Sequence, residues 1–147
     1  MAEESQEKYT HNPHLQKAVD DVLGHQAFQP VAEFKVVAVL AKGKAPADRE
    51  AASCRKIPNA IRTVSGIHFL LVFWTAEWDA MTTAERHRTI VHECMHIGSN
   101  DDGEPKIRCH GGDFCEIPQH DKESLELAKQ IPIPASLAEF DRQATMG

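Results

Sequence analysis

The sequence predicts an α+β fold, a small mixed β-sheet packed with helices. Two runs supply the sheet. Ile67–Thr75 (IHFLLVFWT) is almost continuously apolar, as a central strand covered on both faces must be. Phe34–Ala41 (FKVVAVLA) is β-branched and apolar enough for a second strand. The third observation is a pair of helix-start signals, Asn12-Pro13 and Thr82-x-x-Glu85, one on each side of those strands. No internal repeat, low-complexity stretch or linker divides the 147 residues, so one domain is expected over residues 1–147.

Taken in order, residues 1–11 are acidic and polar and read as a flexible tail. Asn12 caps a helix with proline at its first position, running to about Gln26, with Leu15, Ala18, Val19 and Val22 as its apolar face. After the Phe34–Ala41 strand, Lys42-Gly43-Lys44 reads as a turn. Ala47–Lys56 reads as a short helix that stops before Pro58. Beyond the Ile67–Thr75 strand, the Thr82/Glu85 capping box opens a helix to about Ile97, with Gly98 as its stop. Asn100–Glu104 (NDDGE) is a turn, Lys106–Cys109 a short strand and His110-Gly111-Gly112-Asp113 a loop. Helices are expected at Lys122–Gln130 and, after the break at Ile131–Pro134, at Ala135–Ala144.

Composition excludes several classes of function. Sixteen basic against twenty-two acidic residues give a net charge of −6, which argues against strong nucleic-acid binding. No stretch approaches the roughly 20 apolar residues of a membrane span, and the N-terminal thirty residues carry no signal-peptide core. A cytoplasmic location is therefore expected. Cys54, Cys94, Cys109 and Cys115 form no Cys-x-x-Cys pair and are expected to be reduced.

The chemistry concentrates at His92-Glu93-Cys94-Met95-His96. At ~100° per residue, His92 and His96 lie one turn apart and about 40° apart around the helix, so both imidazoles reach one ion. Glu93 stands beside the pair, where a carboxylate serves as base for an activated water rather than as a ligand. A catalytic zinc needs a third protein ligand and an open position. His110 is the leading candidate for that third ligand. Asp102 is the alternative, with Glu116, Glu123 and Cys109 behind it. His87 lies about 140° from His92 and cannot join the same ion. His68 reads as a hydrogen-bonded core histidine, and Cys94 as core filler facing away from the metal.

The runs KGKAPADREAASCRKIPNAIRTVSGIHFLLVFW and HECMHIGSNDDGEPKIRCHGGDF together resemble the metallopeptidases found in bacteriophages and prophages. The resemblance covers about Val36 to Phe114, with strand, basic helix, apolar strand, zinc helix, turn, Lys-Ile-Arg and histidine in the same order. It implies a zincin-like fold and one Zn2+ per chain on His92, His96 and His110. The motif's own chemistry leads to the expectation of hydrolysis of a peptide or protein substrate, with Glu93 as general base. Cys109-His110-Gly111 departs from the Pro-His-Asp-like segment expected of the family, and Asp113 is the available acidic substitute. Many zincins steady an oxyanion with a tyrosine, yet the only tyrosine here, Tyr9, falls in the tail. Two other readings stay open: a three-histidine zinc endoribonuclease, and a non-catalytic zinc module.

Overall fold

The computed structural model describes residues 8–46, 51–108 and 120–141, with the side chains of residues 120 and 121 left aside. It is an α+β arrangement in which a four-stranded mixed sheet has helices on one face. The supposed tail contributes its first strand, β1 (Tyr9–His11), antiparallel to β2 (Val36–Ala41) with His11 opposite Val39. Polar composition hid that strand, because it lies at the sheet's rim with all three residues exposed.

Helix α1 (Pro13–Leu23) begins as its sequence dictates. The Asn12 side chain accepts the His14 and Leu15 N–H groups at 2.9 and 3.1 Å, and proline occupies the first turn. Leu15, Ala18, Val19 and Val22 are fully buried on the sheet. Each such aliphatic side chain larger than alanine stabilises by about 1.5–3 kcal/mol before entropy is counted. Gln16, on the flank of α1, reaches the free part of β2. Its Nε2 donates to the Val36 carbonyl at 3.0 Å and its Oε1 accepts from the Ala38 N–H at 2.9 Å. One side-chain amide thus continues the ladder where β1 stops. The chain then makes a 3-10 turn at Gln26–Val31 before β2.

Ala52–Lys56, expected within a helix, is strand β3. It runs antiparallel to β4 (Phe69–Trp74), with Cys54 opposite Leu71. Alternation decides for a strand: Ala52 and Cys54 face the core, while Ser53 and Arg55 face the other way. Residues 47–50 of the expected helix lie outside the described residues. The helix of this region is instead α2 (Asn59–Ser65), which follows Pro58 and ends at Gly66 with φ +75°. Strand β4 is central as expected, parallel to β2 on one side, giving the order β1-β2-β4-β3. Its Phe69, Leu71 and Phe73 enter the helix-covered core, and Val72 and Trp74 pack with Ala41 and Ala45 on the opposite face.

After the short α3 (Thr75–Asp79) comes α4 (Thr83–Cys94), whose Ile90, Val91 and Cys94 are fully buried against the sheet. A hairpin follows, β5 (Ile97–Ser99) with β6 (Pro105–Ile107), closed by the expected Asn100–Glu104 turn. Its Asn100 Oδ1 accepts both the Asp102 and Glu104 N–H groups at 2.9 Å. Helix α5 (His120–Gln130) packs on α4, and a 3-10 turn at Ala135–Leu137 opens the last helical stretch, described as far as residue 141. That stretch is tied to α4 by Arg86, which is 2% exposed. The guanidinium donates to the Trp78 carbonyl and to Asp141 Oδ1, each at 3.0 Å, and lies beside the edge-to-face pair of Trp78 and Phe140. No helix among the described residues is long and apolar enough to cross a membrane.

Candidate metal centre

Both halves of the capping box at Thr82 are present. Glu85 N–H donates to Thr82 Oγ1 at 3.1 Å, and Thr82 N–H to Glu85 Oε1 at 2.8 Å. From there the helix carries His92 and Glu93 in its last turn. It ends at Cys94 rather than at Ile97, because Ile97 pairs with Ile107 in the hairpin. His96 stands just beyond the helix, its N–H still bonded to the Glu93 carbonyl at 3.1 Å. The motif therefore bridges a helix end and a hairpin base.

Gly98 is consequently no helix stop but a residue of β5. A Cβ there would lie 2.6 Å from Cγ and 2.9 Å from Cδ of Arg108, whose stem crosses it. Close approach, not a special φ, is what glycine supplies here. The hairpin returns the chain to His96 with a reciprocal pair of bonds. Arg108 N–H donates to the His96 carbonyl at 2.7 Å, and His96 Nδ1 lies 2.7 Å from the Arg108 carbonyl oxygen. A carbonyl only accepts, so Nδ1 carries the proton and Nε2 presents its lone pair. That is the tautomer, and the outer hydrogen bond, of a metal-binding histidine.

The His92 and His96 rings meet edge to face, with centroids 5.5 Å apart. One ligand atom from each of His92, Glu93 and His96 lies within 4.8 Å of the other two. Two donors on one tetrahedral zinc stand about 3.3 Å apart at normal bond lengths. Closing around an ion thus asks only for small side-chain adjustments. Two imidazoles and a carboxylate are a donor set that zinc accepts. The residues fit the group.

Glu93 is 2% exposed although it is an acid. It borders a cleft of about 430 Å³ whose walls are Ala51 and Ala52 of β3, Arg88, Thr89 and His92 of α4, and Ser124 and Leu125 of α5. Behind it, burial and then the Glu93 charge push the Cys54 thiol far up. Cys94 is raised by burial first and then by Cys54, Glu93 and Asp20. Both cysteines are free thiols that pack the core, as expected of Cys94.

The other candidates fall apart from this group. Asp102 sits exposed in the hairpin turn, and Glu123 is exposed on α5. Neither belongs to the gathered set. His110, Cys109, Asp113 and Glu116 lie outside the described residues. His87 is 3% exposed and donates from Nε2 to the Ala128 and Ile131 carbonyls at 3.0 and 2.9 Å, fastening α4 to the end of α5. His68 Nδ1 accepts the Lys35 N–H at 2.9 Å, and its ring packs on Phe34, away from the cleft. Tyr9 is in β1, across the sheet from β3. Sequence reasoning passed over Arg88 and Ser124. Arg88 was legible, being one turn before His92, whereas Ser124 comes from a helix packed on α4 and had no local signal.

The chain matches the family model described as "Putative phage metallopeptidase" over residues 6–129. It belongs to that family, the class that the mixed sheet and the gathered His, Glu and His already outline. No curated protein matches it, and neither does any solved structure.

Proposed function

We propose that the chain is a zincin-like peptidase that holds one zinc ion on His92, His96 and His110 and uses Glu93 as general base. The observation that carries this reading is the clamp on His96. A histidine whose Nδ1 proton is fixed by a backbone carbonyl, beside a second imidazole and a buried carboxylate, is prepared for a cation. A zinc ion bound there supplies a Lewis acid that acidifies water and polarises a carbonyl.

The remaining chemistry belongs to the chain. Glu93 takes the proton of the attacking water and delivers it to the departing amine. Its burial beside His92 keeps the carboxylate aimed into the cleft. The outer edge of β3, with Ala51 and Ala52 on the cleft wall, gives the peptide main chain a strand to pair with.

Tether length supports His110 as third ligand. Arg108 is bonded to His96 on both sides, and two extended residues span at most about 7 Å. Asp102 is at the far tip of the hairpin, six residues after His96 and two beyond Asn100, where the turn begins. At ~3.4 Å per residue the tip stands roughly 10 Å or more from the metal group.

The test pairs metal content with activity. Purified protein should carry about one zinc per chain, lost in His92→Ala and in His110→Ala but kept in Asp102→Ala. Retention of zinc by the His92→Ala/His96→Ala double variant would exclude this site.

A further inference from the structure

Arg88 stands one turn before His92 on the same side of α4 and borders the same cleft. It is exposed, and among the described residues its guanidinium makes no ion pair. The nearest acid on its own helix, Glu85, is held at the N-cap by the Thr82 N–H. Apart from Glu93, Arg88 is the only charged residue among the described walls of the cleft, on a chain of net charge −6.

Arg88 and Leu125 also border a second depression of about 390 Å³ between α4 and α5, floored by Ala128, Ile131, Pro132 and Ile133 with Lys129 as a further cation on its wall. The two depressions share those two residues as a common rim. A chain that leaves the metal group along α4 therefore passes a guanidinium and then meets an apolar floor.

We propose that Arg88 is a specificity residue that selects peptides bearing an Asp or Glu side chain near the scissile bond. The proposal rests on the peptidase reading above and names its substrate class. Spacing fixes the position. Four residues of helix rise about 6 Å, and the side chain leans toward the helix N-terminus, further from His92. At ~3.3 Å per extended residue, the selected carboxylate belongs two to four residues from the bond that is cut. The next apolar side chain then falls in the α4–α5 depression.

The experiment uses fluorescein-labelled decapeptides of neutral sequence, each with Asp or Asn at one scanned position. Binding is measured by anisotropy to zinc-loaded Glu93→Gln protein, and cleavage by zinc-loaded wild type. One position should favour Asp over Asn by about two- to fivefold, the range expected of an exposed charge pair. Adding Arg88→Gln should bring that ratio to about one, and Arg88→Glu should favour Lys there. Circular dichroism checks that these exposed substitutions leave the fold intact. An Asp/Asn ratio that Arg88→Glu does not change overturns the proposal, as does absence of any binding. Arg88-dependent binding without cleavage of any peptide would instead keep this site and remove the peptidase reading.

Discussion

At the scale of single residues, the centre depends on where two protons sit. His96 keeps one on Nδ1 because the Arg108 carbonyl leaves it no other use. In the proposed mechanism Glu93 takes one up, and an amide cannot. Glu93→Gln should therefore retain metal and fold while hydrolysis drops by about 10²–10⁴-fold, the usual general-base contribution. Near wild-type turnover in this variant would show that the base lies elsewhere. The thiols give a second prediction. With Cys54 and Cys94 both raised by burial and by the Glu93 charge, neither offers thiolate near pH 8. Mass spectrometry should find both unmodified after iodoacetamide treatment of native protein and alkylated once urea is added. Glu85 behaves in the opposite sense. Its carboxyl is held below 4.5 by the Thr82 backbone bond first, then by the Thr82 side chain and by Arg88. Its contribution to stability is present above that pH and fades as pH falls through the lowered value, so Glu85→Gln should flatten the acid limb of the stability curve.

Among the elements, α4 was the most legible and its end the least. Capping box and apolar spacing announce the helix, and the structure follows them to Cys94. What ends it is Ile97 pairing with Ile107, a contact made across a turn that no local pattern encodes. The same holds for β3, where only the neighbouring strand reveals the alternation within an expected helix. The motif residues themselves were readable because i,i+4 spacing is local; their clamp was not, since its partner is twelve residues on. Two substitutions probe this level. Thr82→Ala should cost about 1 kcal/mol in urea unfolding by removing the cap. Gly98→Ala should displace the Arg108 stem, so zinc affinity should fall while the helical signal stays near wild type. If affinity is untouched, the hairpin does not hold His96.

For the molecule as a whole, metal and fold should be linked. An ion that binds only the folded chain adds about 2.7 kcal/mol when free zinc exceeds Kd a hundredfold. Thermal scans with zinc and with chelator should differ accordingly in wild type and coincide in His92→Ala. Surface charge sets a further expectation. At net −6, binding to RNA should be weak and lost by physiological salt.

The buried guanidinium of Arg86 carries a consequence for how the molecule comes into being. Its carboxylate partner, Asp141, lies 55 residues further along the chain. Ribosomes add about 5–20 residues per second, so roughly 3–11 seconds pass between the two being made. During that interval the buried guanidinium has the Trp78 and Asp79 carbonyls as partners but lacks its carboxylate. The ion pair between α4 and the last helical stretch thus forms only after the chain has been translated through residue 141.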